Sequence, residues 1–184
     1  MSIRIARASD AANLADIYAP SVEGSPVSFE TTAPNAAEMA RRIETLLETH
    51  PWLVWEMDNQ AVAYAYASPH RSRRAYCWSC EVSVYVGPQA RRRGVARQLY
   101  LSLFDILRQQ GVTNAYSGIT LPNPASVGLH ESLGFKPVGI YRNVGFKAGD
   151  WHDVGWWDYT IQTPPHAPTE PEPFASLRQR LALK

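Results

Sequence analysis

Glu81-Val82-Ser83-Val84-Tyr85-Val86-Gly87-Pro88-Gln89-Ala90-Arg91-Arg92-Arg93-Gly94-Val95-Ala96-Arg97 decides the fold, because here an alternating strand passes through a basic, glycine-containing turn into an amphipathic helix. Polar and apolar side chains alternate with a period of two, so Glu81, Ser83 and Tyr85 share one face and Val82, Val84 and Val86 the other. Gly87-Pro88 ends the strand. From Gly94 the period changes: Val95, Leu99, Leu103 and Leu107 recur every fourth residue, Tyr100 and Phe104 widen the stripe, and Gly111 closes the helix. The first amides of such a helix have no partner within it and stand at the positive end of its dipole, so phosphate is their natural ligand. Gly94 lets the backbone come close, and Arg91, Arg92, Arg93 and Arg97 add guanidinium donors that fit phosphate oxygens.

Two plainer readings of the arginine run are a solvated charged surface and a nucleic-acid patch. The second expects a basic domain, yet 18 Lys and Arg against 17 Asp and Glu leave a formal charge of only +1. The strand-turn-helix context therefore favours a phosphate-bearing small molecule, and no nucleic-acid partner is expected. With 184 residues, 45% hydrophobic and 19% charged, the chain has the size and composition of one soluble globular domain. No apolar run is long enough to cross a bilayer, and Met1-Ser2-Ile3-Arg4 lacks the apolar stretch of a signal peptide, so a cytoplasmic protein without a membrane partner is expected. Cys77 and Cys80 are the only cysteines. Tyr76 to Val86 reads as one continuous strand, which points the two thiols to opposite faces; they are read as reduced core thiols rather than a redox pair or half of a zinc site.

Outward from this centre, Ile3 to Arg7 reads as a first strand. Ser9-Asp10 offers an N-cap to a helix that ends before Pro20, and Ser21 to Pro34 forms a loop that walls a site. A helix follows over Ala36 to His50, then strands Trp52–Met57 and Ala61–Ala67 joined by a turn at Asp58-Asn59. Ser68 to Arg74 is a basic loop leading into the organising strand. Beyond Gly111 come a strand over Ala115 to Leu121, a helix over Ser126 to Leu133, and strands Val138–Phe146 and Val154–Ile161 separated by a turn at residues 149–153. The strand-helix-strand order around Val95–Gln110 predicts a parallel pair joined by a right-handed crossover. Residues 1–162 form the domain and residues 163–184 a proline-rich tail, with a short helix over Phe174 to Leu183.

The spacing Arg91-x-x-Gly94-x-Ala96 resembles the pyrophosphate-binding motif of the GNAT superfamily of N-acetyltransferases. From Arg4 to about Tyr159 the chain further resembles that family's phosphinothricin and methionine sulfoximine branch, in Ser28-Phe29-Glu30, Pro51-Trp52-Leu53-Val54, Ala63 to Ala67, Arg73 with Ala75-Tyr76, Leu121-Pro122-Asn123, Leu129-His130-Glu131, Gly134-Phe135 and Gly145-Phe146-Lys147 with Trp151 to Gly155. The resemblance implies the GNAT fold, an α/β (α+β) single domain with a mixed central sheet of about six to seven strands flanked by helices. It implies acetyl-CoA as acetyl donor and a small amino acid or analogue as acceptor, with direct transfer through a tetrahedral intermediate, and a homodimer.

The same resemblance implies site roles. Glu81 is the candidate base for the attacking amine, against the plainer reading of a Glu paired to a nearby Arg. His130 is the candidate proton donor to the departing thiolate or a partner in the base role, against a merely packed helix His. Backbone groups of Val84, Tyr85 and Val86 pair with the pantetheine arm, residues Arg91 to Arg97, with Gly94, Val95 and Ala96 among them, hold the pyrophosphate, and Asn123 and Ser126 line the cofactor from the facing side. Asn123 reads equally as a turn residue after Pro122. Phe29, Glu30, Arg73, Tyr76 and Tyr85 are the candidate acceptor contacts, with Arg73 gripping the acidic end and Arg71 and Arg74 solvated. Trp156 and Trp157 read as core or as a subunit interface. No metal is expected. Acetylation of another amine, such as a peptide or polyamine, and a catalytically silent acyl-CoA-binding module are the alternative functions.

Overall fold

The computed structural model describes residues 2–181. Strand β1 (Ser2–Ile5) is followed by helices α1 (Ala11–Glu23) and α2 (Ala36–Leu47), strands β2 (Trp52–Met57), β3 (Gln60–Pro69) and β4 (Ser79–Val86), then helix α3 (Val95–Gln110). Strand β5 (Asn114–Leu121), helix α4 (Pro124–Ser132), strands β6 (Lys136–Lys147) and β7 (Asp150–Thr160) and the short α5 (Phe174–Leu177) complete the chain. The seven strands form one mixed sheet in the order β1-β2-β3-β4-β5-β7-β6, as expected of the GNAT fold. Its one parallel pair is β4–β5, the pair that the α3 crossover predicts.

The period change at Gly94 is where the structure turns from strand to helix: Gly94 caps α3 at φ +73°, and Gly111 ends it at φ +93°. Leu99, Leu103 and Leu107 are fully buried, and α3 packs on β2, β3 and β4, where Ala63, Ala65 and Ala67 leave room for a close helix. On the other side Tyr18 of α1 meets Tyr85 edge-on at 4.9 Å, so α1 covers the face bearing Glu81, Ser83 and Tyr85. Asp58 and Asn59, at φ 52° and 60°, make the two-residue turn that joins β2 to β3.

Several boundaries differ from the sequence reading. Helix α1 runs through Pro20 to Glu23, because Pro20 lies on the exposed side while Tyr18 and Val22 bury the other. Asp10 does not cap α1: its carboxylate takes the Arg7 amide and a two-pronged grip from the buried Arg4. Strand β4 starts at Ser79, not Tyr76, since a 3-10 turn over Arg74–Tyr76 closes first, with the Tyr76 and Cys77 amides bonded to the Arg73 and Arg74 carbonyls. Cys80 is therefore buried in the sheet while Cys77 lies half-buried in that turn. The expected turn at 149–153 shrinks to Ala148-Gly149, both at positive φ, and Trp151 joins β7 opposite Phe146.

The proline-rich tail packs on the domain. Thr169 accepts from Trp78 Nε1 at 2.8 Å, Glu172 exchanges bonds with Gln110, and Phe174 and Leu177 are buried. The expected helix over Phe174 to Leu183 is seen at Phe174–Leu177; Leu183 lies outside the described residues.

Candidate active site

Strands β4 and β5 pair at only three positions, Ser79–Asn114, Cys80–Ala115 and Glu81–Tyr116. Beyond them β4 stays with β3 and β5 with β7, so the sheet splits immediately after Glu81 and leaves one edge of residues 82–86 without a strand partner. Alternate N–H and C=O groups on that edge are free to pair with an extended ligand. The split opens a cavity of about 80 Å³ lined by Val82 to Tyr85, Tyr100, Asn123, Ser126 and His130. A second cavity, about 340 Å³, is lined by Phe29, Glu81, Tyr141, Val144, Val154 and Trp156. Val27, Val82, Ser83, Gly118 and Thr120 border both, so the two chambers meet where the strands part, with Glu81 on the larger one.

Oε1 of Glu81 accepts from Nδ1 of His70 and from the Arg71 guanidinium, each at 3.1 Å. The Arg71 guanidinium also stands 5.7 Å over the Trp156 ring. The plainer reading of Glu81 as Arg-paired thus holds for its Oε1, and Arg71 is not merely solvated, because the end of β3 folds it back over β4. Trp156, half-buried rather than core, forms a wall of the larger chamber, reached because β7 lies beside β5, while Trp157 is buried.

His130 is 2% exposed. Its Nδ1 lies 2.8 Å from the Ser126 carbonyl, which only accepts, so Nδ1 carries the proton and Nε2 accepts from the Tyr100 hydroxyl at 3.1 Å. Burial lowers its pKa, offset in part by the Ser126 carbonyl, and the ring is neutral near pH 7. Tyr100, read from sequence only as part of the α3 stripe, is buried with its phenol pushed up by desolvation and is the polar neighbour of His130. Asn123 Oδ1 accepts from the Ser126 amide at 3.1 Å and caps α4 while still bordering the smaller chamber.

At the head of α3, Arg91, Arg92 and Arg93 are exposed and Arg92 also has a positive φ of 58°. The first helical bond runs from the Gln98 amide to the Gly94 carbonyl, leaving the amides of Val95, Ala96 and Arg97 without helical partners. A Cβ built on Gly94 would meet only Gln98 Nε2, at 4.0 Å, so internal packing does not require the glycine. Arg91 Nε reaches the Val86 carbonyl and Arg97 the Ser132 carbonyl, tying the turn to β4 and to α4.

The acceptor contacts expected from sequence separate into two groups. Phe29 lines the larger chamber and is so close to Gly145 that a Cβ there would lie 2.2 Å from Phe29 Cε2. Lys147 holds the same loop, donating to the Val22 and Ser28 carbonyls at 2.5 and 2.6 Å. Glu30 is not brought to the chamber: Arg42 holds it bidentately and Tyr18 donates to it, so its carboxyl is held below the usual range chiefly by Arg42. Tyr85 packs under Tyr18 and Tyr64 rather than toward the larger chamber, though it borders the smaller one. Arg73 and Tyr76 border a cavity beneath the tail with Gln110 and Glu170, a cavity that His70 and Arg71 also line, and Tyr76 stands edge-on to His70 at 5.9 Å.

Comparison with known proteins shows the family. The profile of the acetyltransferase (GNAT) domain family matches residues 3–156. Phosphinothricin N-acetyltransferase of Streptomyces viridochromogenes is 39% identical over 90% of this chain and 91% of its own length. The L-methionine sulfoximine/L-methionine sulfone acetyltransferase of Salmonella typhimurium is 32% identical over 84% and 91%. Among solved structures, a GNAT superfamily phosphinothricin acetyltransferase from Sinorhizobium meliloti in complex with acetyl-CoA superposes with a TM-score of 0.84 at 30% identity, covering 94% of this chain and 97% of that one. The split sheet, the glycine-capped helix and these relatives together show that the chain belongs to the GNAT family of acetyltransferases.

Proposed function

We propose that the protein transfers the acetyl group of acetyl-CoA to the α-amine of a small amino acid or analogue of the phosphinothricin, methionine sulfoximine or methionine sulfone type. The observation that carries this is the meeting of the two chambers at the β4–β5 split with Glu81 on the larger one, next to the shared residues Val82 and Ser83. One chamber suits a thioester arm and the other a compact acceptor. The residues present fit the donor: Gly94 leaves open space at three unpaired amides, with arginines around them, and β4 offers a free backbone edge. In this reading the amides of Val95, Ala96 and Arg97 with Arg91, Arg92 and Arg93 hold the pyrophosphate. Val84, Tyr85 and Val86 hold the arm and present an N–H to the thioester carbonyl, and Asn123 and Ser126 close the far side.

Glu81 takes the proton that the amine must lose on attack. A neutral, buried His130 is better placed to accept a proton than to give one, so it joins the base side, with Tyr100 bonded to its Nε2 and both lining the smaller chamber. The acceptor carboxylate goes to Arg71, which already stands beside Glu81 over Trp156, rather than to Arg73. Arg71→Ala is expected to raise the acceptor KM about 30-fold, about 2 kcal/mol, and to leave acetyl-CoA affinity unchanged, with a much smaller effect from Arg73→Ala. Steady-state kinetics on methionine sulfoximine decides; a larger loss from Arg73→Ala would return the carboxylate to that residue.

Among the described residues no helix is long and apolar enough to cross a membrane; a cytoplasmic site of action is proposed because the acetyl donor, acetyl-CoA, is an intracellular metabolite. The homodimer is supported by the outer strand β6, which exposes Val138, Ile140, Tyr141, Val144 and Phe146 beside Trp151 of β7. Such an apolar edge is a surface that proteins cover. Light scattering should give twice the chain mass, and Ile140→Lys with Phe146→Lys should give the monomer; a monomeric parent would remove the dimer.

A further inference from the structure

Glu81 holds its two oxygens in different situations. Oε1 accepts from both His70 and Arg71, whereas among the described residues Oε2 accepts no hydrogen bond. His70 itself is confined. Its ring stacks on Tyr116 at 4.5 Å and 19°, and meets Tyr76 edge-on at 5.9 Å and Trp156 at 6.1 Å. Tyr116 is also the residue paired with Glu81 across β4–β5, at the last position before the sheet splits. The imidazole is therefore clamped against the strand that carries one wall of the cleft while its Nδ1 touches the carboxylate on the other.

We propose that His70 is a positioning residue for Glu81, anchoring Oε1 through Nδ1–H so that Oε2 is presented to the acceptor amine. This rests on the acetyl-transfer reading above. An ionised carboxylate only accepts, so the neutral ring carries its proton on Nδ1, and no proton leaves His70 in the step: the amine proton goes to Oε2. The charge pattern gives His70 a role that Arg71 cannot fill alone. When the acceptor carboxylate draws the Arg71 guanidinium to itself, His70 remains the sole anchor of Oε1, at the moment when the base must be held still. The anchor is therefore felt in turnover more than in acceptor binding.

Other charged and titratable groups near the ring do not share this contact. Arg73, Arg74, Cys77, Glu170 and His50 line the cavity beneath the tail together with His70 and Arg71, and Arg74 is engaged by Glu170. Among the described residues only Glu81 lies at hydrogen-bond distance from the imidazole.

The test uses the full chain with acetyl-CoA and methionine sulfoximine, comparing His70→Phe, which keeps a stacking ring without a donor, with His70→Asn, whose amide keeps a donor near Nδ1. His70→Phe is expected to lower kcat about 10-fold with acceptor KM and acetyl-CoA affinity nearly unchanged. Removing a donor to the carboxylate should move the acid limb of kcat/KM to higher pH. His70→Asn should recover most of both effects. Equal losses in the two variants, or a Phe variant with the parent's kcat and pH profile, would overturn the proposal. A second arm does not depend on activity: ring nitrogen NMR at about pH 8 should show His70 as the Nδ1–H tautomer, reverting to Nε2–H in Glu81→Ala. An Nε2–H ring in the parent would overturn the anchor even if acetyl transfer stands; failure of acetyl transfer with the Nδ1–H signature intact would instead overturn the functional reading.

Discussion

Glu81→Gln is expected to lower kcat/KM about 100-fold or more near neutral pH, because an amide keeps the size and hydrogen bonding of the carboxylate but cannot take a proton. The deficit should shrink as pH rises. An amino-acid α-amine within a zwitterion is mostly protonated near pH 7, so the enzyme must both find and deprotonate it; at alkaline pH the free amine is abundant and the base matters less. The Oε1 contacts with His70 and Arg71 survive the change, since the Gln carbonyl also accepts, which isolates the loss to proton transfer. The pH–rate profiles of parent and variant decide: parallel curves would leave Glu81 a structural partner of Arg71 and move the base elsewhere, with His130 next in line.

Gly94→Val should weaken acetyl-CoA binding by at least about 10-fold. At φ +73° a β-branched residue is strained by about 1–2 kcal/mol, and its branches would project into the space above the unpaired amides of Val95 to Arg97. Because an added Cβ meets nothing nearer than Gln98 Nε2 at 4.0 Å, the fold itself has little to lose beyond that backbone strain. Calorimetry on the folded variant separates the two effects. Unchanged affinity would remove the head of α3 from the pyrophosphate site.

What was legible from sequence was what short-range pattern controls. The switch from a two-residue to a four-residue period fixed β4, the Gly94 turn and α3, and the Asp58-Asn59 turn fixed the β2–β3 hairpin. Pro20 misled because a proline on the solvent side of a helix is tolerated when the buried side holds it in place. The turn between β6 and β7 was overdrawn because Asp and His in Asp150-Trp151-His152-Asp153 look like loop chemistry until Trp151 is seen paired across the strand with Phe146.

The site was legible where its residues lie on the organising stretch and obscure where a loop sets the direction of a side chain. Nothing local distinguishes Arg71 from Arg73, two residues apart in one basic loop; both line the cavity beneath the tail, yet among the described residues only Arg71 of the two pairs with Glu81. Glu30 looked like an acceptor contact because its partner Arg42 is on another helix. Tyr100 and Trp156 carried apolar periodicity that explained them as packing, although their polar or aromatic faces border the two chambers. A His three residues after the alternating segment Ala61–Ala67 is the one local signal that could have pointed to the His70–Glu81 contact, since the β3–β4 pairing brings Pro69 opposite Cys80, at the level of Glu81.

The most direct test of the central claim is to incubate the protein with acetyl-CoA and methionine sulfoximine or phosphinothricin and identify the products by mass spectrometry alongside thiol release. The account predicts the Nα-acetylated amino acid and free CoA in equal amounts, and none with the acceptor's amine already blocked. Inert amino-acid analogues with rapid acetylation of a polyamine or a peptide N-terminus would contradict the acceptor assignment, and the absence of acetylated product with any amine would contradict the enzyme itself.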